Sequence, residues 1–225
     1  MKTNKFEATM DKMSGLIERY IAPPLVAMGN QRHFAAIRAA LIRTIPLIII
    51  GSLPLILTSL PVESWANAMA PYAEKLNVLY TMTMNFMVLY LAISLGAELA
   101  RMYEELDSTI VSIVTVACYV ITVAPVDMET NTLEVTGFSA KGMFTLFVVA
   151  IIVVEFMHFA YKHNIIIRLP KSVPSGISQS FASLLPMAIL LVFFWVLRVV
   201  VGFDLNSLLN MIVSPLLAVS DTWYA

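Results

Sequence analysis

Apolar residues gather into five long runs, at about 37–60, 76–100, 108–126, 142–161 and 181–203, and charge, proline and glycine concentrate between them. About 20 apolar residues, rising about 1.5 Å each, cross a hydrocarbon core as a helix. The pattern therefore predicts an all-α integral membrane protein with about five transmembrane helices. Two flanking segments follow a different rhythm. In the segment 1–34, Phe6, Met10, Met13, Ile17 and Tyr20 recur at steps of three and four with charged residues on the other faces, which predicts an amphipathic surface helix. Pro23 and Pro24 end it, because proline disfavours helical geometry in the residue before it. In the tail 204–225, Leu205, Leu208, Leu209, Ile212, Val213, Leu216 and Leu217 form one stripe opposite Asn206, Ser207 and Asn210. This predicts an interfacial helix, with Trp223 and Tyr224 as headgroup-level anchors.

Composition agrees with the spans. Hydrophobic residues make up 59% and charged residues 13%, with a mean hydropathy of +0.83, more apolar than the surface of a water-soluble domain allows. The net charge of −1 says little, but the distribution of the bases orients the chain. Lys2, Lys5, Lys12, Arg19, Arg32, Arg38 and Arg43 precede the first run or lie at its start, Arg101 follows the second, and Lys162, Arg168 and Lys171 separate the fourth from the fifth. The opposite loops hold only Lys75 and Lys141, so the N-terminus is expected in the cytoplasm. No cleavable signal is read at the N-terminus, and no nucleic-acid partner is expected.

Candidate chemistry is sparse. The single cysteine, Cys118, lies inside an apolar run and is read as a small buried residue. Gly137 and Gly142 have the glycines of a phosphate loop but not its order, since no lysine follows the second glycine. Glu155 and His158 have the helical Glu-x-x-His spacing of carboxylate metal sites, which need a second such pair and two further glutamates. No metal or cofactor is expected, and no residue is assigned a catalytic role. Glu98, Glu155 and Arg198 lie near span ends, where long side chains reach the headgroups. Asn85 lies deeper, as an interhelical hydrogen-bonding group or a contact for a polar substrate. Ala92, Gly96 and Ala100 recur every four residues, a ridge of small side chains suited to close packing against a neighbouring helix of the same chain or of a second subunit. Pro46, Gly51 and Pro54 predict local bends in the first span.

The segment Ile165 to Pro186 carries an ordered set: an apolar and basic lead, Pro170, the pair Val173 and Pro174, then Ser180 and Phe181 running into a span that contains Pro186. It resembles the cytoplasmic loop of enzyme IIC, the sugar permease subunit of bacterial phosphotransferase systems in the lactose, cellobiose and diacetylchitobiose family. Gln31-Arg32-His33, the stretch Ile45 to Ser52 and the lead Gly137 to Phe144 are similar to that family's entries into its first and fourth spans. The resemblance implies that residues 35–225 are a truncated enzyme IIC membrane domain, half of a permease with roughly ten spans, behind the N-terminal cytoplasmic segment 1–34. It further implies a homodimer that takes up a β-linked disaccharide. The sugar is phosphorylated on delivery by a IIB protein, itself charged through IIA. In such permeases the first half mainly builds the dimer interface and the second supplies most sugar contacts. It leaves the choice of disaccharide open. A non-transporting membrane scaffold and an ion-coupled secondary transporter remain as alternatives.

Overall fold

Gln31 starts the first described helix: its side-chain oxygen accepts the Phe34 backbone N–H at 3.1 Å, which satisfies one of the amides left open at a helix start. The structure, a computed structural model, describes residues 29, 31–124, 126–127, 132–170 and 172–221. The amphipathic helix expected over 1–34 therefore lies almost wholly outside the described residues, as do Trp223 and Tyr224. Helix α1 spans Arg32–Thr58, α2 Glu63–Met84, α3 Met87–Ala100, α4 Ser108–Val123, α5 Met143–Lys162, α6 Ser175–Trp195 and α7 Leu205–Asp221. Strands β1, Val126–Asp127, and β2, Thr132–Leu133, pair antiparallel between α4 and α5.

Among the described residues four helical stretches are long and apolar enough to cross a membrane: Arg32–Thr58, Glu63–Ala100, Ala140–Lys162 and Ser175–Val200. Helix α4 has 16 residues, or about 24 Å of rise, short of a full crossing by length alone. The apolar run expected at 108–126 thus stops being helical at Val123. The second run differs in the other direction. Its helix begins at Glu63, well before residue 76, because the polar lead containing Glu63, Asn67, Glu74 and Lys75 is itself helical. A break at Asn85 and Phe86 then divides α2 from α3, and the Tyr90 hydroxyl donates to the Met82 carbonyl across it at 3.2 Å.

Helices α3, α4 and α5 form the centre. Val88, Leu91, Leu95 and Leu99 meet Val111, Val114, Cys118 and Tyr119, and Leu146, Val149, Val153 and Met157 close the cluster. Helix α1 lies against α2 and α3, so that Gly51 touches Thr83 and Met84 where an added Cβ would come within 2.5 Å of either side chain. The requirement at Gly51 is close approach. Helix α6 ends in a π-helical turn, Val196–Val200, and Gly202 at φ 72° turns the chain toward α7. On α7, Asn206 accepts the Thr145 hydroxyl at 2.8 Å and Val213 is buried, while Met211 and Ile212 point outward. Asn206 of the predicted polar side therefore faces the bundle while Ser207 is exposed, and part of the apolar stripe faces away.

Candidate functional site

One end of the bundle gathers the start of α1, the turn 101–107, and the last turns of α5. Glu155 of α5 takes three donors on one oxygen: His33 Nε2 at 2.7 Å, the Tyr103 hydroxyl at 2.5 Å and Arg32 at 3.4 Å. The Gln31 amide oxygen accepts the Phe34 N–H, and its Nε2 lies 2.6 Å from His33 Nδ1. Tyr103 stacks on His158 with ring centroids 3.9 Å apart, and His158 is bonded through Nδ1 to Glu105. Burial, and then the hydrogen bond to the anionic Glu155, push the Tyr103 phenol up to about 12. It stays a donor throughout the physiological range. Glu155 and His158 thus turn to different carboxylate and histidine partners, and among the described residues no three metal-ligating side chains converge.

A second ionic group lies on the α1 and α3 side of the same end. Glu98, with its side chain only 10% exposed, forms an ion pair with Arg43, whose Nε lies 2.7 Å from Glu98 Oε1, and also pairs with Arg101. At the other end, Arg198 pairs with Asp204 at 3.0 Å, and Asp204 accepts the Ser207 backbone N–H at 2.9 Å. Burial pulls the Asp204 carboxyl upward, but the Ser207 N–H and Arg198 outweigh it and hold the group below the usual carboxylate range. These contacts tie helix ends together and bring no nucleophile to a reacting position.

The motif residues fall on two elements. Val173 donates its N–H to the Pro170 carbonyl at 3.1 Å, closing a turn, and Pro174 stands in extended geometry immediately before α6. Ser180, Phe181 and Pro186 then lie along α6, with Phe181 exposed and Pro186 buried. Ser183 donates to the Gln179 carbonyl at 3.0 Å, so the Tyr161 hydroxyl donates to Ser183 at 2.8 Å and pins α5 to α6. Asn85 lies apart at the α2–α3 break, and its side chain makes no hydrogen bond among the described residues. The expected substrate contact therefore stands alone there.

The ridge Ala92, Gly96 and Ala100 is buried inside the chain. A Cβ on Gly96 would lie 2.7 Å from Ser112 Cα and 3.0 Å from Thr115 Oγ1, both on α4. The ridge is the α3–α4 contact and leaves no surface there for a second subunit, which corrects the dimeric half of that expectation. Thr115 Oγ1 has no conventional hydrogen-bond partner and lies on the side to which a Gly96 α-hydrogen projects, so a weak C–H···O contact is its available partner. Sequence reasoning missed Tyr103, Glu105 and Tyr119. The Tyr119 hydroxyl donates to the Gly137 carbonyl at 2.5 Å, with the Gly142 carbonyl at 3.2 Å. The usable signal was a tyrosine in an apolar span beside a glycine-bearing turn.

An all-helical bundle of long apolar helices, polar only at its ends and at isolated threonines and serines, defines a multi-pass membrane protein. The profile of the family "Phosphotransferase system, EIIC" matches residues 38–223, and the chain belongs to that family of sugar permeases. It is 31% identical over 226 residues to the cellobiose-specific EIIC component of Geobacillus stearothermophilus, covering 92% of this chain and 49% of that one. It is 30% identical over 224 residues to the lichenan permease IIC component of Bacillus subtilis (strain 168), again covering 92% and 49%. Its fold is similar to that of ChbC, the IIC component of the N,N'-diacetylchitobiose-specific phosphotransferase system, with a TM-score of 0.77 and 24% identity over 91% of this chain and 52% of that one. The chain spans about half the length of the curated relatives it matches.

Proposed function

We propose that this chain forms the interface half of a phosphoenolpyruvate-dependent permease for a β-linked disaccharide. In this reading a IIB partner phosphorylates the sugar as it is delivered, and the sugar-contacting half lies outside these 225 residues. The observation that carries the reading is the family match over 38–223, joined to relatives of twice this length for cellobiose and lichenan. The thin deep polar inventory supports it too, because a bound sugar needs several placed polar groups in a concave site. The bases of Arg32, Arg101 and Lys162 at one end support a cytoplasmic location for that end. Self-association would use a surface other than the small-residue ridge. Helix α2 is the candidate, because it buries no residue and exposes Tyr72, Val78, Leu79 and Met82.

Reconstitution tests the division of labour. Vesicles holding this chain and a complete phosphoryl relay are expected to accumulate no cellobiose phosphate. Adding the second half of a related permease as a covalent continuation is expected to give uptake that requires phosphoenolpyruvate. Phosphorylating uptake by these 225 residues alone would overturn the reading.

A further inference from the structure

Glu98 is a nearly buried carboxylate held by two guanidiniums that are each more than half exposed: Arg43 at 56% and Arg101 at 51%. One negative charge faces two positive charges, so the group carries an excess of +1. Arg43 uses only its Nε and Arg101 only one terminal nitrogen, both on Glu98 Oε1, and neither has another partner among the described residues. With each side chain more than half exposed, their other N–H groups stay open to the surroundings. Arg43 stands eleven residues beyond Arg32, the first residue of α1, which is about 16 Å along the helix. Exposed Ile42 and Ile45 flank it, so this excess charge borders hydrocarbon rather than bulk water.

The surface below the arginines is shaped for a chain. On α3, Tyr90, Ile93, Ala97 and Arg101 recur at helical spacing, and Tyr90 and Ile93 are exposed. Between this stripe and α4 lies an open apolar groove of about 430 Å³, lined by Ile93, Thr109, Ser112, Ile113, Val116 and Ala117. It starts in the first turn of α4, next to the turn that carries Arg101, and runs toward mid-helix. From this juxtaposition of unspent guanidinium donors and an apolar groove we infer that the face formed by α1, α3 and α4 binds an anionic phospholipid. Arg43 and Arg101 take its phosphate, and an acyl chain lies along Ile93. A fork of N–H donors suits phosphate oxygens, and Glu98 keeps both guanidiniums at the rim. In the orientation proposed above, the site opens to the cytoplasmic leaflet, where anionic lipids attract basic residues.

Native mass spectrometry of the chain, released from neutral detergent and titrated with phosphatidylglycerol or phosphatidylcholine, tests this. One phosphatidylglycerol should bind saturably, and phosphatidylcholine should not. The double variant Arg43→Gln, Arg101→Gln should weaken phosphatidylglycerol binding at least tenfold. Ile93→Trp fills the groove without touching charge and should weaken it at least fivefold, so the acyl contact is tested even if the arginine variant misfolds. Equal binding of the two lipids, or unchanged phosphatidylglycerol binding in Ile93→Trp, overturns the proposal. Displacement by glycerol phosphate at the lipid's own concentration also overturns it, because the site would then hold a free anion.

Discussion

Replacing Gly96 with alanine adds one methyl group at the tightest helix contact that the small-residue ridge makes. The new carbon would lie 2.7 Å from Ser112 Cα and 3.1 Å from Ser112 N, and backbone atoms of a helix cannot swing aside. Ordinary carbon contacts sit at about 3.5–4.0 Å, so α3 and α4 must part by about 1 Å. Parting stretches the bond from Ser112 Oγ to the Ile93 carbonyl, now 2.8 Å. Overpacking of this kind costs roughly 1–3 kcal/mol, and an interhelical hydrogen bond in a membrane protein contributes about 0.6 kcal/mol more. A total near 2–3 kcal/mol corresponds to a fall of roughly 5–10 °C in a chain of this size. The chain carries its own reporter, because Cys118 is its single cysteine and is fully buried. A thiol-reactive dye that fluoresces on coupling reads unfolding of the detergent-solubilised protein as a temperature scan. Gly176→Ala is the control, since a Cβ there meets nothing within 4 Å and alanine favours the first turn of α6. A midpoint for Gly96→Ala within about 1 °C of the parent, or an equal fall in Gly176→Ala, would refute the packing argument.

Three further outcomes are expected. Tyr119→Phe leaves the buried Gly137 carbonyl without its donor, and should cost about 1–3 kcal/mol in the same dye scan with no change in self-association. Single cysteines at Lys162 and Glu134, in a chain lacking Cys118, should be labelled from opposite sides of the membrane, with Lys162 reached only from the cytoplasm; labelling of both from one side would sink the orientation. The Asp204 carboxyl is held below its usual range, so its stabilising contribution is whole above about pH 4 and is lost as pH falls through its lowered value. Asp204→Asn should therefore flatten the acid side of a stability profile and leave the profile's slope above pH 5 unchanged.

The apolar helices were legible because lipid removes the ambiguity that loops and surfaces give a soluble chain: a long apolar run has one economical structure, the helix. Both helix ends of α5 lie within one residue of the run expected at 142–161. The start of α2 was not legible from hydropathy, because Glu63, Asn67, Glu74 and Lys75 are polar yet form a regular helix outside the apolar run. Nor was the break at Asn85 and Phe86, where no proline or glycine marks the chain. The ridge was read as a close-packing surface with its partner left open between the same chain and a second subunit, since spacing fixes which residues share a face and is silent on what meets it. Tyr103 escaped for a related reason: its partner Glu155 is 52 positions away, and only the folded arrangement of α3, α4 and α5 brings them together.

The two ends of the bundle are built on different terms, and the difference bears on motion. At the basic end, Glu155 alone joins α1, the turn 101–107 and α5 through His33, Arg32 and Tyr103, while Glu98 ties α1 to α3 and Tyr161 ties α5 to α6. At the opposite end α1 and α2 meet through Gly51, Thr83 and Met84, and among the described residues the only side-chain hydrogen bond between the two helices there is from Trp65 Nε1 to the Leu57 carbonyl at 2.7 Å. Charge-assisted bonds in partly dry surroundings are about twice as strong as neutral ones, so the basic end resists separation and the α1–α2 end slides more readily. Helix α2 also has no fully buried residue, so only its partly exposed packing against α1 holds it in place. Under the function proposed above, a permease that delivers its sugar toward the basic end would need a fixed frame there and compliance elsewhere. Hydrogen exchange should follow the same division, with amides of α2 exchanging well before those of α3, α4 and α5. Equal protection of α2 and α5 would refute compliance at the α1–α2 end.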